Sequence, residues 1–374
     1  MLNKVMIISV SAGSGHVRAA QALEETFKNI SPSVQVLNID ALDYSTKTFR
    51  KLIADGYANV SNRVPRLWGY MYDVTDEETT EISFYTKVLR KLQSFSGNKM
   101  FNLIRTEKPD VIISTHFLPP PVLIRHFQKK KIEIPVYCVV TDFDIHNMWH
   151  TSGIAGYFVA SDLIAHKLKF WNVEPENIHV TGIPIHPVFQ KPYNRPDLCR
   201  EYDLDPNLPT FLFIGSGLTA KQVNSILRHI TQNETPRQIL LVAGRNTKLL
   251  KKLEKFTVPS NTILRTFGFV SEIEKLMSVS DLIVTKPGGL TVSECLVKKL
   301  PLIMVFPIPG QEERNADYVI STGAGFKAND PLELEYKIEN ILQNRDILNR
   351  MRESAARAAR PDAAELIIRK ILQE

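Results

Sequence analysis

Paired cysteines are missing from this chain. Cys138, Cys199 and Cys295 stand far apart and no CxxC occurs, so neither a disulfide framework nor a structural zinc site is expected, and the thiols fit a reducing cytosol. Long apolar runs are missing too. The longest, Leu300 to Pro309, is short and broken by Pro301, Pro307 and Pro309, so nothing is expected to span a bilayer. The start, MLNKVMIISVSAGSGH, has neither a long apolar leader core nor a small-residue cleavage site, and reads as mature sequence. No internal repeat or low-complexity tract stands out. A strong charge imbalance is also lacking: the formal net charge of +6 is mild, and suits an anionic membrane surface as well as nucleic acid.

What is present is an ordinary globular composition at a length, 374 residues, that exceeds one typical core and implies two domains. Lys4 to Val10 reads as a buried strand. It is followed by Ser11-Ala-Gly13-Ser-Gly15-His16 and then by Val17, Ala20, Leu23 and Phe27 at helical spacing. This strand, glycine loop and helix open a Rossmann-like unit. The loop is not G-x-G-x-x-G and lacks a P-loop Lys-Ser/Thr, so neither dinucleotide nor ATP binding follows. His16 at its mouth, with a pKa expected near neutrality, suits a base that takes a proton from a hydroxyl. Helix capping or a phosphate contact is the other reading.

Val34 to Ile39 makes a second strand. From Ala41 to about Thr106 the chain reads as helices and loops rich in aromatic and basic residues, among them Tyr57, Trp68, Tyr72, Arg63 and Lys91. Such a mixture suits a membrane interface, and equally an insertion with its own local core. Further strands are expected at Val111 to Ser114, Val136 to Thr141, Tyr157 to Ala160 and His179 to Thr181. Three readings compete for Asp142-Phe-Asp144-Ile-His146-Asn-Met-Trp149-His150. Asp142-x-Asp144 spells a metal-binding DxD. His146 and His150 are spaced like a zinc pair but lack the Glu of H-E-x-x-H. The third reading is a polar loop at the sheet edge facing an acceptor. His116 reads as a structural histidine.

Prolines 192, 196, 206 and 209 puncture a polar stretch read as linker. A second Rossmann-like unit begins with Thr210 to Ile214 and Gly215-Ser216-Gly217, where backbone N–H groups can meet a diphosphate. Strands ending at Val242 and Phe267 lead to Asn246 and to Phe269-Val270. The densest stretch follows, Asp281 to Ala316: an apolar strand, Pro287-Gly288-Gly289, a helix carrying Thr291, Ser293 and Glu294, a second strand, and Gly310-Gln311-Glu312 with Asn315. The glycine turn and helix N-terminus face an anion. Thr291 and Ser293 offer hydroxyl donors, and the carboxylate of Glu294 suits the paired hydroxyls of a ribose.

Lys286-Pro-Gly-Gly with Thr291-x-Ser-Glu294, followed by Pro309-Gly-Gln-Glu-x-x-Asn315-Ala316, resembles the donor site of the diacylglycerol glycosyltransferases. These are the monogalactosyldiacylglycerol synthases and processive diacylglycerol β-glucosyltransferases, related to the peptidoglycan glycosyltransferase that uses UDP-N-acetylglucosamine. The likeness extends from Ser9 to about Leu372. One departure is His186, in Gly182-Ile-Pro-Ile-His186-Pro, where the family has an arginine able to fork a phosphate.

The resemblance implies an α/β fold of two Rossmann-like domains facing across a cleft, the GT-B architecture. The expected divisions are an acceptor and membrane-side domain over 1–190, a linker over 191–209, a UDP-sugar domain over 210–355, and a helix over 356–374 crossing back to the first. It implies a metal-independent, inverting hexosyltransferase acting on 1,2-diacylglycerol in glycolipid synthesis, with UDP-glucose preferred to UDP-galactose and no cofactor. His16 and Asp142 would be catalytic. Gly215, Ser216, Gly217, Asn246, Phe269, Val270, Pro287, Gly288, Gly289, Thr291, Glu294, Gln311, Glu312 and Asn315 would hold the donor. Gly13, Gly15, His146 and Trp149 would lie on the acceptor side, with His186 near phosphate. The expected partners are UDP-hexose, diacylglycerol or its glycosylated form, and an anionic membrane surface, but no nucleic acid. The expected place is the cytoplasmic face of the membrane, peripherally bound. Another lipid or polyprenyl-linked acceptor, a UDP-N-acetylglucosamine 2-epimerase, and a nucleotide-sugar sensor are the alternatives.

Overall fold

The computed structural model describes residues 2–46, 50, 97–253 and 255–373. The aromatic and basic residues from Tyr57 to Lys91, read above as an interfacial or inserted segment, lie outside the described residues. The chain divides into two compact units. The first comprises Met1–Pro187, Ile308–Arg314 and Arg360–Glu374; the second comprises Val188–Pro307 and Asn315–Ala359. No helix among the described residues is long and apolar enough to cross a membrane.

In the first unit the strands are β1 (Lys4–Ser9), β2 (Gln35–Asp40), β3 (Val111–Ser114), β4 (Val136–Val139), β5 (Gly156–Val159) and β6 (Ile178–Val180). They form one six-stranded sheet in the order β2-β1-β3-β4-β5-β6, every pairing parallel. Parallel strands are covered on both faces, which is why β1, β3, β4 and β5 are nearly unbroken apolar runs. Chain order reverses between β1 and β3, the position at which open α/β sheets gather ligands. Helix α1 (Ser14–Ile30) lays Ala20, Leu23 and Phe27 on this sheet. The last helix, Ala363–Gln373, adds Ile367, Ile368 and Ile371 to the same core, each stabilising by about 2 kcal/mol when buried. Its approach explains Gly182: at φ +95°, a β-carbon there would stand 2.5 Å from the Arg360 β-carbon.

The second unit contains β7 (Thr210–Ile214), β8 (Arg237–Val242), β9 (Thr262–Phe267), β10 (Leu282–Thr285), β11 (Leu302–Val305) and β12 (Gly325–Ala328). Their order is β12-β11-β10-β7-β8-β9, again all parallel. Read from the other edge this is the doubly wound order of a dinucleotide-type fold, with its reversal between β7 and β10. Helices α2 (Ala220–Ile230), α3 (Thr247–Leu253), α4 (Gly289–Val297) and α5 (Gln311–Thr322) follow β7, β8, β10 and β11. Val223, Ile226, Leu227 and Ile230 of α2 join Phe211, Phe213, Leu241 and Val284 in the core.

Two features depart from the sequence expectation. The stretch read as linker holds a helix, Arg195–Glu201, with Pro196 in its first turn, where proline's missing N–H costs nothing. Arg195 forks Asp281 with bonds of 2.8 and 2.9 Å, and Asp281 also accepts from Arg352 and from the Thr210 N–H. Strand β12 was not anticipated: its Phe326 is exposed, Lys327 is half-buried and it begins with glycine, so it carries no apolar run.

Candidate active site

Three strand ends build the site of the first unit. His16 lies in the first turn of α1, after β1; Thr115 follows β3 directly; Thr141 lies just beyond β4. The His16 Nδ1 stands 2.8 Å from the Thr115 carbonyl oxygen and 2.9 Å from the Thr141 hydroxyl. The Thr115 hydroxyl donates back to the His16 carbonyl at 2.9 Å. A carbonyl oxygen can only accept, so Nδ1 carries the proton and Nε2 keeps its lone pair. That is the tautomer a general base needs, and the backbone enforces it.

The His16 ring meets His116 edge-on at 4.4 Å and lies 6.5 Å from Trp149. Burial lowers its pKa to about 4, although the Thr115 bond acts in the opposite sense. This corrects the expectation of a value near neutrality: packing against protein, invisible in the sequence, outweighs the hydrogen bond. His116, buried, accepts from the Leu118 N–H through Nδ1 at 3.1 Å, and burial with the His16 neighbour pushes its pKa well down.

The sign of the resulting pH dependence follows. Neutral His16 is the competent form, so kcat/KM is expected to stay flat between about pH 5 and 7 and to fall as pH approaches 4. Because the fold lowers this pKa, the unfolded chain takes up the proton first. The stability contributed by His16 is therefore full above about pH 6.5 and is lost as pH falls from there through about 4. A pH profile of initial rates, read beside a thermal unfolding series, checks both. An acid limb centred near 6.5 would mean that water solvates the ring.

The other residues expected on the acceptor side divide between site and scaffold. Gly13 is exposed and precedes α1, and Gly15 is in its first turn. Asp142 is half-buried beside Thr141, and the groups that contact Nδ1 are those of Thr115 and Thr141. His146 is buried and accepts from the Met148 N–H at 3.0 Å, capping the turn Asn147–Trp149. Trp149 is buried. Asp144, the second carboxylate of the DxD reading, binds Lys167 at 2.6 Å and Arg314 at 2.9 Å. Among the described residues no group of three His, Cys, Asp or Glu is placed to hold a metal. His186 is exposed beyond β6.

In the second unit the site lies at the reversal between β7 and β10. Gly217 takes φ +83°, and a β-carbon there would lie 3.6 Å from Lys286, so the turns after the two strands are neighbours. Gly215 donates its N–H to Val242 at 2.9 Å, with Ser216 exposed between the glycines. Pro287 and Gly288 lead into α4, which has no side-chain cap, so its first N–H groups are available to an anion. At Gly288 φ is an ordinary −69° and a β-carbon would meet nothing within 4 Å. Neither the backbone nor packing by the described residues demands glycine there, and the open space suits close approach of a ligand. Asn315 fixes this turn through a bond of 3.1 Å to the Pro287 carbonyl.

Several side chains have tasks the sequence did not reveal. Ser293 donates to the Gly289 carbonyl at 3.0 Å and is buried, so it is a brace within α4 rather than a donor to ligand. Thr291 is half-buried and Glu294 is almost fully buried. Asn246 accepts from the Leu249 N–H and so caps α3. Glu312, in the first unit's Ile308–Arg314 segment, accepts from the Ile308 N–H at 2.6 Å, beside half-buried Gln311. Phe269 is 67% exposed, with the Arg245 guanidinium 5.1 Å above its ring; Val270 follows, half-buried.

Two family descriptions match this arrangement: Monogalactosyldiacylglycerol (MGDG) synthase over residues 16–185, and Glycosyl transferases group 1 over residues 194–358. A processive diacylglycerol beta-glucosyltransferase of Bacillus thuringiensis is 31% identical across 99% of this chain and 94% of its own. The chain belongs to the diacylglycerol glycosyltransferase family. Among solved structures, MurG of Acinetobacter baumannii is similar at a TM-score of 0.62 and 18% identity over 100% of both chains. The UDP-GlcNAc 2-epimerase of Neisseria meningitidis, bound to UDP-GlcNAc, is similar at 0.60 and 14% identity, over 99% of this chain and 100% of its own. These likenesses give the fold, the GT-B architecture. An epimerase shares it, so the fold alone does not choose the reaction; family membership makes the chain a glycosyltransferase.

Proposed function

We propose that the chain moves a hexose, glucose in preference to galactose, from a UDP-hexose to the 3-hydroxyl of 1,2-diacylglycerol, with inversion and without a metal. The observation that carries this reading is the His16 tautomer: Nδ1–H held by the Thr115 carbonyl, Nε2 open to a hydroxyl. The relatives named processive diacylglycerol beta-glucosyltransferase support glucose and diacylglycerol, and the neighbour holding UDP-GlcNAc supports a UDP-sugar in this fold.

In this reading Nε2 accepts the acceptor's hydroxyl proton as the oxygen's electron pair closes on the anomeric carbon. The bond from that carbon to the diphosphate oxygen breaks, and its electron pair leaves with UDP. Attack from the face opposite UDP inverts the carbon. The N–H groups of Ser216 and Gly217 and of the α4 N-terminus stabilise the departing diphosphate, so charge neutralisation does not require a cation. Glu294 takes the ribose hydroxyls, Gln311 and Glu312 the sugar hydroxyls, and the backbone at Phe269 and Val270 the uracil. His186 touches phosphate more weakly than arginine would. The protein works peripherally on the cytoplasmic face of an anionic membrane.

The test is UDP release by purified protein with diacylglycerol in anionic vesicles, UDP-glucose and UDP-galactose in parallel, with and without EDTA. Lipid-dependent release that survives EDTA and is faster with UDP-glucose is the expected result. Loss with EDTA would overturn the metal-free step and return attention to Asp142. UDP-sugar binding with no turnover on diacylglycerol would overturn the acceptor.

A further inference from the structure

A second feature of the GT-B unit that carries the glycine turns has no part in the chemistry above. Between β8 and β9 the chain places Arg245, Lys248, Lys251, Lys252 and Lys255 against a single carboxylate in sequence, Glu254. Lys248, Lys251 and Lys252 stand three and four residues apart on α3 and so share one face, and Lys255 lies in the turn just beyond the helix. The opposite face is apolar: Leu249 and Leu253 are buried in the core of the second unit. All of these cations are exposed.

Some surface cations of this unit are paired, as Lys337 with Glu333 and Lys275 with Glu272 and Glu201. No such ion pair holds the cations of α3 among the described residues. A helix of ordinary surface character interleaves its charges; this one presents a single sign. Beside it, the exposed Phe269 ring lies under Arg245, and the donor reading uses Phe269 only through its backbone. The patch is fixed at the ligand-gathering edge of the sheet. Gly244, at φ +61°, approaches Ser216 so closely that a β-carbon would stand 3.1 Å from the Ser216 β-carbon, and Leu250 packs within 3.5 Å of a β-carbon at Gly268.

We infer that α3 and the Phe269 ring form a docking surface for a bilayer bearing anionic headgroups, carried by the donor-binding unit itself. Lysines in a row meet a negative surface, each strengthening attachment several-fold and losing that effect within a Debye length as salt rises. The aromatic ring beside them enters the headgroup layer, where a flat apolar body with a neighbouring cation is well accommodated. The inference rests on the acceptor being a membrane lipid. It gives the unit that binds a water-soluble donor its own hold on the surface where the acceptor resides.

Vesicle sedimentation of the full chain, with phosphatidylcholine alone and with added phosphatidylglycerol, tests it on the parent and on K248A/K251A/K252A. The parent is expected to bind the anionic vesicles and to be released by salt. The triple variant should bind them roughly a hundredfold more weakly, while its UDP affinity and its UDP release with short-chain diacylglycerol in neutral detergent micelles stay those of the parent. Equal binding of parent and variant to the anionic vesicles would overturn the docking surface. So would a variant that keeps its vesicle affinity but loses affinity for a single-stranded RNA, since the cations would then serve a nucleic acid. A parent that binds anionic vesicles through these lysines but turns over no diacylglycerol in vesicle or micelle would uphold the surface and overturn the acceptor reading instead.

Discussion

Replacing His16 by alanine is expected to lower kcat by about 10²- to 10⁴-fold, the contribution of a positioned general base, while UDP affinity stays that of the parent. The reasoning begins with the nitrogen that faces inward. Nδ1 is held by an acceptor that cannot become a donor, the Thr115 carbonyl, so the ring cannot exchange tautomers without leaving that bond buried and unmade. The comparison that isolates the base is Glu294→Ala, a change in α4 of the second unit. It should raise the donor KM and weaken UDP binding. Equal loss of UDP binding in both variants would sink the division of labour between base and donor site. Thr141→Val adds a finer arm: it removes the hydroxyl 2.9 Å from Nδ1 but leaves the Thr115 carbonyl, so a modest loss of kcat is expected.

Much of this architecture was legible because parallel strands buried on both faces advertise themselves. KVMIIS, VIIS, TFLFI and LIVT are runs that periodicity reading locates without help. The glycine turns were legible for a related reason. They follow those runs, and Gly217 needs a positive φ that a larger residue adopts only under strain.

Partners made across the sheet were not legible. His16 meets Thr115 and Thr141 at separations of 99 and 125 residues, and only the order β1-β3-β4 brings them together. The Thr115 carbonyl that holds Nδ1 leaves no side-chain signature in the sequence. The pKa of His16 was hidden for the same reason, since burial is a property of the assembled fold. Local tasks of polar residues near the motifs were not legible either. Ser293, Asn246 and Glu312 each satisfy backbone groups of their own turns, a local demand that competes with any substrate.

The stability of the second unit is expected to depend on one buried pair to a degree no surface ion pair matches. Arg237 opens β8 with no exposed surface. It donates to the Thr235 and Ile230 carbonyls at 2.9 and 3.2 Å and to Glu339 at 2.5 Å. Its Nη2 and the Glu339 Oε2 have no partner among the described residues, so the pair is incompletely satisfied even when intact. Glu339→Ala would leave the guanidinium buried without its counter-charge, at an expected loss of about 3–5 kcal/mol. Removing both charges together, as in R237M/E339L, should recover most of that loss or exceed the parent, because an incompletely bonded buried pair gains little over well-packed apolar side chains. Amide exchange along β8 reads this unit selectively: protection should fall in the single variant and return in the double one. An equal fall in both would mean that the pair stabilises the unit through its charges and not merely by avoiding an orphaned one. The same comparison bears on the active site, because β8 lies beside β7 and its end receives the Gly215 N–H. A fold that opens at Arg237 should therefore loosen the glycine turn, and donor KM should rise in Glu339→Ala and recover with the second substitution.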